Sequence, residues 1–541
     1  MLLLNKDLEQ YTPRKEQNDA LEFVKDTITE SDVKKFIMLD LPTGVGKSIL
    51  AMLICQWYMK DINKTATFDV ITNSKILQEQ YTKDFNSISS LWGKNNYQCE
   101  QYSDCSCREG KEFNKLNKTK CETCPYDNAR DGYIKNRINL SNFHLYTLLN
   151  IYNTDMMDQR DSNVLIIDEA HSFEDVFCDF LSINLSKGIL KSLGFKNYNN
   201  ISKSIRHINS VEDFVDFADK LTEEIINTKN DLKRQVKGKN NVSVLRKYSD
   251  LESLETKLEN FLSDYGKREE NWVLEYSFND KKEKKISIQP IWASPYLDEY
   301  IWSKYDHVIL MSGTILNKKL FSEINGIPES KSAYYSITSP FSKKNRPIYY
   351  MPLSRMTYKN KANAFTQYKP FIEKIMKKYE TKKGIFHTHT YEIANWMKDE
   401  IEDERFIFHK SDDKDKALQK HYNLEEDPTV LVSPSMSTGV DLEYDRARFQ
   451  TLMKIPYPSL GSTKNKLRQK MIPTWYTWKT ISGIIQAYGR GIRSYDDQCD
   501  FIIIDACFSD IMKYSSDWLP SYFSDAISMV NMKKVKAQVS K

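Results

Sequence analysis

One segment of the chain has the residue types and the spacing of a phosphate-binding loop. The hydrophobic run FIMLDL leads into PTGVGKS and then into the helical pattern SILAMLICQWYMK, which is the strand, loop and helix order that such a loop requires. Gly44 and Gly46 let backbone N–H groups turn toward phosphate oxygens, Lys47 supplies a positive charge, and Ser48 can ligate Mg²⁺. The segment therefore predicts a nucleotide site.

The loop departs from the full consensus at one position, because Leu41 stands where the strict pattern has its first glycine. What remains is the shortened form PTGxGK. A chance glycine turn is the alternative, and the flanking strand and helix patterns argue against it.

The segment NVLIIDEAH is a second motif, in which a hydrophobic strand ends in two adjacent carboxylates. Asp168 is suited to hold Mg²⁺, directly or through water, and Glu169 is suited to polarise an attacking water. An acidic pair at a strand end is common. The pair becomes informative because it follows a phosphate-binding loop by a few predicted elements.

Near the C-terminus, QAYGRGIRS places Arg490 and Arg493 three residues apart, on one face if this segment is helical. Two such arginines can neutralise the charge that develops on a γ-phosphate during phosphoryl transfer. For this segment taken alone, the alternative is a pair of surface arginines on a solvated helix.

Five of the nine cysteines fall within CEQYSDCSCREGKEFNKLNKTKCETCPY. Clustered thiols can form disulfides, bind structural zinc or hold an iron–sulfur cluster. Disulfides are rare in a reducing cytoplasm, so we expect a metal, and the CxC and CxxC spacings suit zinc and iron–sulfur equally. The other four cysteines lie in apolar surroundings and are predicted core residues.

At 541 residues the chain is long enough for about three or four domains. No apolar run approaches the ~18 residues that a bilayer span needs, so we expect a soluble cytoplasmic protein with no membrane partner. The abundance of Lys, Asn and Ile suggests a bacterial or viral source, so the cytoplasm is that of a bacterium or of an infected host cell. A net charge of +4 does not by itself indicate a nucleic-acid partner.

Short β-branched runs, each followed by a turn and a longer amphipathic segment, are typical of parallel strands in α/β units with helices on both faces. They form two groups, separated near residues 339–346, and so predict two sheets. The runs are 36–41, 68–72, 163–168 and 307–312 in the first group, and 384–388, 429–433 and 501–505 in the second.

Between residue 180 and about 285 the pattern changes to long charged helical segments, which predict an all-helical insertion. A coiled coil is the alternative, but each run is too short to require one. Residues 272–291 then alternate in polarity and predict a hairpin that leads back to the first sheet.

Taken together, these segments resemble the XPD/DinG family of superfamily-two iron–sulfur DNA helicases. The resemblance spans nearly the whole chain. It implies an α/β fold of two RecA-like parallel-sheet lobes with an inserted iron–sulfur domain and an inserted helical arch domain. In chain order the matching segments are YTPRKEQ, PTGVGKS, VITNSKILQEQ, NFHLY, DEAH, LMSGTIL, SPF followed by NR, GIFHTHT, SMSTGVDL, IPYPS and QAYGRGIR.

The resemblance also implies where the domains begin and end. Lobe one would be interrupted twice and lobe two would be continuous. The implied segments are 1–90, 140–185 and 272–340 for lobe one, 91–139 for the iron–sulfur insertion, 186–271 for the helical arch and 341–541 for lobe two.

Carried over by position, the resemblance implies roles for residues of both lobes. Gln17 would read adenine with Arg14 nearby, and Ser312, Gly313 and Thr314 would couple the nucleotide state to lobe movement. Nucleotide binding would involve Arg14, Gln17, Thr43, Gly44, Gly46, Lys47, Ser48, Gly439 and Asp441. Catalysis would involve Lys47, Asp168, Glu169, Gln486, Arg490 and Arg493, with Ser48 and Asp168 as magnesium ligands. Many relatives carry glutamate where this chain has Thr438, which leaves the role of that position open.

For the clustered thiols, the resemblance favours a [4Fe–4S] cluster, with zinc as the alternative. The implied ligands are Cys99, Cys107, Cys121 and Cys124. The context CREG resembles that of the family's second ligand and favours Cys107 over Cys105, without closing that choice.

The function implied is that of a monomeric, ATP-dependent helicase that moves 5′ to 3′ on single-stranded DNA and unwinds forked duplexes in DNA repair or replication. The alternative is a nucleic-acid-stimulated ATPase that remodels protein-bound or RNA-containing structures without processive unwinding. A rival from another class is a zinc-bound interaction scaffold with a degenerate nucleotide site.

Overall fold

Two parallel sheets, each of seven strands, form the framework of the protein in the computed structural model, which describes residues 6–31, 33–236, 241–437, 440 and 442–530. A third sheet has three antiparallel strands. In chain order the strands are β1 Phe36–Asp40, β2 Phe68–Thr72, β3 Ser89–Ser90, β4 Ile138–Asn142, β5 Val164–Asp168, β6 Ile183–Leu185, β7 Trp272–Phe278, β8 Lys284–Pro290, β9 His307–Ser312, β10 Ser332–Ser336, β11 Ile348–Ser354, β12 Gly384–His387, β13 Phe406–Phe408, β14 Val430–Ser433, β15 Phe449–Leu452, β16 Asp500–Asp505 and β17 Ile527–Met529.

Helices connect these strands and cover both faces of the two large sheets. In chain order, and starting from residue 15, the α-helices are α1 Lys15–Glu30, α2 Lys47–Asp61, α3 Lys75–Asp84, α4 Cys107–Asn117, α5 Pro125–Lys135, α6 Phe143–Tyr152, α7 Thr154–Asp158, α8 Phe173–Leu181, α9 Lys187–Leu193, α10 Tyr198–Ile205, α11 Val211–Val236, α12 Val242–Arg268, α13 Ser294–Tyr300, α14 Lys318–Ile324, α15 Lys361–Lys378, α16 Tyr391–Glu400, α17 Lys414–Asn423, α18 Thr463–Met471, α19 Pro473–Tyr488, α20 Phe508–Tyr514 and α21 Ser521–Ser524. None of the described helices combines the length and the apolar composition needed to cross a bilayer.

The first large sheet, with the helices packed on it, is lobe one, and its strand order is β10-β1-β9-β5-β2-β4-β3. The second is lobe two, with the order β13-β14-β12-β15-β16-β11-β17. Strands β1, β2 and β5 are buried at every position, as central parallel strands with helices on both faces must be. All seven predicted strands are confirmed to within one residue at each end, and so is the predicted fold of two RecA-like lobes.

The predicted hairpin is confirmed at β7 and β8, which pair antiparallel along their length. These strands belong to the third sheet, in which β6 pairs with β8, and the chain then returns to the first sheet through α13 and β9.

Two stretches outside the large sheets are helical. Residues 107–135 contain α4 and α5, and residues 187–268 contain α9 to α12. The two longest of these helices, α11 and α12, pack through apolar residues spaced by three and four, including Phe214 against Phe261 at 5.4 Å between ring centroids. The helical insertion predicted between residues 180 and 285 is therefore present as helices, while the domain boundaries inferred from the family remain predictions.

The two lobes share part of a hydrophobic core. Trp475 and Trp478 of α19, in lobe two, are buried in the same apolar cluster as Phe173 and Trp302 of lobe one. This packing brings α19, and the turn that follows it, against the phosphate-binding face of lobe one.

Candidate nucleotide-binding site

The loop between β1 and α2 has the backbone geometry of a phosphate cradle. Gly44 and Gly46 adopt φ angles of +84° and +83°, in the left-handed region that favours glycine, and Lys47 is the first residue of α2. A Cβ atom on Gly46 would lie 2.5 Å from Nε2 of Gln17. The helix N-terminus and the loop amides thus form an anion site that only glycine at these positions permits.

The acidic pair lies beside this loop, because β5 and β1 are separated only by β9 in the sheet and end at the same edge. The Lys47 Nζ atom lies 3.4 Å from Oε1 of Glu169, and the Tyr81 hydroxyl donates to Oδ2 of Asp168 at 3.0 Å. Glu169 itself adopts a φ of +59°, which is unusual for a residue with a Cβ atom and indicates backbone strain at the site.

The two carboxylates have opposite electrostatic environments. Burial raises the pKa of Asp168 to about 6, although the charge of Lys47 acts in the other direction. Burial also acts to raise the pKa of Glu169, but Lys47, a hydrogen bond from His171 and the charge of Arg490 hold that pKa well below its usual range. Glu169 is therefore a carboxylate at neutral pH, and Asp168 binds a proton only below about pH 6.

Residues of lobe two reach this site through a chain of hydrogen bonds. Gln486, on α19, donates from Nε2 to Oγ1 of Thr314 in lobe one at 3.0 Å. Arg490 donates from Nη2 to Oε1 of Gln486 at 2.9 Å and from Nε to the carbonyl of Ser437 at 3.0 Å. Gln486 of lobe two therefore contacts the lobe-one motif that follows β9, and Arg490 is bonded to Gln486.

The segment that carries the two arginines is not helical. Helix α19 ends at Tyr488, and the chain turns at Gly489, so Arg490 and Arg493 do not lie on one helical face. The Cα atom of Arg493 lies 3.3 Å from the position that a Cβ on Gly44 would take. The turn, rather than a helix, brings both arginines toward the phosphate loop.

Arg14 and Gln17 contact the phosphate loop through its backbone. Arg14 donates from Nη1 to the carbonyl of Gly44 at 2.6 Å, and Gln17 donates from Nε2 to the carbonyl of Val45 at 2.9 Å. These two side chains hold the shape of the loop, and the adenine contact of Gln17 remains a prediction.

Thr43 and Ser48 lie at the two ends of the loop. A Cβ on Gly489 would overlap Oγ1 of Thr43, at 2.0 Å, so lobe two packs directly on the loop there. Ser48 is the second residue of α2. Three residues of the lobe-two motif, Thr438, Gly439 and Asp441, lie outside the described residues.

Three residues that adjoin the site motifs were not predicted from the sequence. Asp40 and Tyr81 are buried polar residues that contact the motifs, and His171 lies 3.0 Å from Oγ of Ser312 and 3.4 Å from a carboxylate oxygen of Glu169. The histidine of DEAH was visible in the sequence. For Asp40 the sequence signal was an acidic residue at the end of a buried strand, just before the loop. No feature of the sequence indicated Tyr81.

Four of the five clustered cysteines are buried near one another around α4. The sulfur atoms of Cys107, which begins α4, and Cys124 are 4.0 Å apart. The sulfur of Cys99 lies against Gly110, where a Cβ would be only 2.6 Å away. The backbone N–H of Cys99 donates to the carbonyl of Cys105 at 3.0 Å.

Cys121 lies at the far end of α4, where Nδ2 of Asn114 donates to its sulfur at 2.8 Å. No group of three or more His, Cys, Asp or Glu side chains has a metal-binding arrangement within the described ranges. The segment thus brings candidate ligands into proximity without a formed metal centre.

Comparisons with known proteins agree with this geometry. Residues 372–522 match the helicase C-terminal domain family, and residues 10–210 match the family described as type III restriction enzyme, res subunit. A solved structure titled "XPD_Helicase" aligns with a TM-score of 0.66 at 16% identity over 95% of this chain and 99% of its own. The chain therefore has the fold of the XPD helicase structures, and its C-terminal part matches a helicase domain family.

Two further solved structures have the same XPD-type fold. One, titled "XPD_APO", gives a TM-score of 0.64 at 16% identity, over 96% of this chain and 100% of its own. The other, Xpd4 of S. tokodaii, gives 0.58 at 13% identity, over 96% and 100%. No curated protein matches the chain by sequence. The matched domains are those of a nucleic-acid-dependent ATPase that uses ATP and Mg²⁺.

Proposed function

We propose that this helicase hydrolyses Mg-ATP to move 5′ to 3′ along single-stranded DNA and to unwind forked duplexes, acting as a cytoplasmic monomer. The observation that carries the proposal is that Gln486 of lobe two, itself bonded to Arg490, contacts Thr314 beside the predicted phosphate loop of lobe one. Because hydrolysis changes the charge at such a shared site, it changes how the lobes sit on each other. The direction of movement is supported by the family resemblance.

The side chains at the site support the following roles in hydrolysis. Lys47 binds the terminal phosphates, and Ser48 and Asp168 hold the magnesium ion that enters with ATP. Water attacks the γ-phosphorus while the bond to the β–γ bridging oxygen breaks, which yields ADP and phosphate. Glu169 polarises that water, and Arg490 and Arg493 neutralise charge on the transferring group. Nζ of Lys47 lies 3.4 Å from Oε1 of Glu169, so a triphosphate that binds Lys47 would compete with Glu169 for its charge.

A cavity of about 810 Å³ supports a single-stranded nucleic acid as the partner. It opens between α3, the α4–α5 segment and α12, and its wall combines basic side chains with rings, as sites that hold a strand by backbone charge and base stacking do. Its basic residues are Lys75, Lys94, Arg108 and Lys257, and its rings are Tyr126, His144, Tyr152 and Phe180. Among the residues that the structure describes, only two acidic residues, Glu112 and Glu252, line the cavity beside these four basic residues, so its wall has an excess of positive charge.

The thiol segment supports a [4Fe–4S] cluster as a structural cofactor, with zinc as the alternative. The buried sulfurs of Cys99, Cys107 and Cys124 and the half-buried sulfur of Cys121 are a donor set that fits either group. Cys99, Cys107, Cys121 and Cys124 would hold it. When bound, the group would cross-link a segment that has few other elements, and it takes no part in hydrolysis.

A pair of forked duplexes, one with a 5′ tail and one with a 3′ tail, tests the helicase proposal. We expect ATP-dependent strand release only from the 5′-tailed fork. Glu169→Gln should lower ATP turnover at least about 100-fold. Glu22→Gln, an exposed glutamate of α1, is the matched control and should behave as the parent. ATP turnover without release from either fork would favour the remodelling ATPase, and release only from the 3′ tail would reverse the assigned direction.

Metal analysis after anaerobic purification tests the cofactor. We expect iron, sulfide and broad visible absorbance, lost in Cys107→Ser and retained in Cys105→Ser. Cys55→Ser, in the core of lobe one, is the control. Stoichiometric zinc without colour would mean that the segment binds zinc and not a cluster. Loss of the metal in Cys105→Ser and its retention in Cys107→Ser would mean that Cys105 is the ligand.

A further inference from the structure

Asp40, the last residue of β1, is buried and has no part in the hydrolysis described above. Its carboxylate accepts three hydrogen bonds. The backbone N–H groups of Ile315 and Leu316 donate to it at 3.3 and 2.8 Å, and the Tyr334 hydroxyl donates at 3.0 Å. One carboxylate at the entrance to the phosphate loop thus holds the segment that follows β9.

That segment is held in an unusual conformation. Leu316 has a φ of +59°, in the left-handed region that residues with a Cβ atom rarely adopt. Such strain persists only where surrounding contacts impose it, and Asp40 supplies the bond to the Leu316 N–H. The segment also lies directly on the loop, because a Cβ on Gly313 would be 3.1 Å from the Leu41 carbonyl.

The same segment is what lobe two contacts. Trp478 of α19 donates from Nε1 to the carbonyl of Ile315 at 3.0 Å, and Gln486 of α19 donates to Thr314. The N–H of Ile315 is thus bonded to Asp40 of lobe one, and its carbonyl accepts from Trp478 of lobe two. A single peptide segment connects the strand before the phosphate loop to the helix that leads to Arg490.

We propose that Asp40 is a positioning residue that transmits the state of the phosphate loop to α19 of lobe two through residues 314–316. This inference rests on the proposed function, because it explains how bound nucleic acid stimulates hydrolysis. Burial raises the pKa of Asp40 to about 6, so the side chain is an ionised acceptor at neutral pH. An amide in its place can accept on one atom only and would present a donor to a backbone N–H.

The test compares three variants with the parent in Mg-ATP affinity, basal ATP turnover and turnover stimulated by oligo(dT). In Asp40→Asn we expect affinity and basal turnover within about threefold of the parent, and stimulated turnover at least about tenfold lower. Trp478→Phe removes the bond from lobe two to the Ile315 carbonyl, which also accepts from the Asn317 N–H, and should show the same loss. Tyr334→Phe removes an Asp40 contact outside the connecting segment and should stay within about threefold.

An unchanged ratio of stimulated to basal turnover in Asp40→Asn would overturn the inference, and so would equal losses of affinity, basal and stimulated turnover. If Asp40→Asn does not fold, Trp478→Phe decides, and a normal ratio there overturns the inference. A parent chain that shows no stimulation would instead overturn the proposed function, which separates the two failures.

Discussion

Replacing Arg468 by methionine should destabilise the junction between the lobes in a pH-dependent way. Arg468, on α18 of lobe two, is 2% exposed and donates to Glu174 at 2.7 Å and to Asp175 at 2.9 Å in α8 of lobe one. Its guanidinium also lies over the rings of Trp292 and Trp475. The variant keeps a side chain of similar length but leaves Glu174, itself 5% exposed, without its cation.

The size of the loss follows from what Glu174 can do. Burial raises its pKa above 4.5 even with Arg468 present, and without Arg468 the pKa rises further. A buried carboxyl that loses its partner can bind a proton, so the cost is limited to the free energy of protonating it. With an ordinary pKa near 4.5, that limit is about 3.4 kcal/mol at pH 7 and about 0.7 kcal/mol at pH 5.

The sign of the pH dependence is therefore fixed. Because the pKa of Glu174 is raised in the folded variant, the variant loses little stability near pH 5. The loss grows as the pH rises through the folded-state pKa of Glu174. Urea unfolding followed by tryptophan fluorescence at pH 5.5 and pH 8 measures this directly, since Trp292 and Trp475 flank the site. Glu174→Gln in the same chain should recover most of the loss at pH 8.

Lys479→Met is the matched control, because Lys479 pairs with Asp175 while both side chains are about one-third exposed. Its cost should stay below about 1 kcal/mol at either pH. An Arg468→Met variant that loses less than about 1 kcal/mol at pH 8, or the same amount at both pH values, would refute the reasoning.

Three further predictions concern the phosphate loop, the cavity and the helical insertion. Gly46→Ala should raise the KM for ATP about tenfold or more, because the φ of +83° and the 2.5 Å approach to Gln17 exclude a Cβ atom. The control is Gly266→Ala in α12, which has no atom within 4 Å of its Cβ position and should leave KM unchanged. Burial lowers the pKa of Lys257 to about 8, so binding of single-stranded DNA should weaken between pH 7 and pH 9 in the parent and stay level in Lys257→Arg. Lys257→Ala should reduce the slope of log K against log salt by about 0.7. An unchanged slope would exclude a phosphate contact. Leu258→Ala, at a fully buried position of α12, should cost about 2–5 kcal/mol in urea unfolding, whereas Ile226→Ala, 46% exposed, should cost less than about 0.5 kcal/mol; equal costs would show that α11 and α12 do not pack as described.

Much of the fold was predictable because parallel strands buried on both faces are continuous apolar runs. Strands β1, β2, β5, β9, β12, β14 and β16 have this signature, and each was predicted within one residue. Strand β13 has only three residues, and β15 has Gln450 and Thr451 in the middle of its four. Neither forms a long apolar run, so these strands become recognisable only through their pairing in the sheet.

The sequence by itself determined which residues make up the predicted phosphate site, because Gly44, Gly46 and Lys47 belong to one local loop and Asp168 and Glu169 to one strand end. Tertiary structure alone decided that Asp40 holds residues 315 and 316, and that Arg468 is paired with Glu174 nearly three hundred residues away along the chain. It also decided that Arg490 and Arg493 approach from a turn rather than from a helix. Local geometry depends on contiguous residues and can therefore be predicted from them. The partner of a buried charge depends on how separate elements pack, which the spacing along the chain does not indicate.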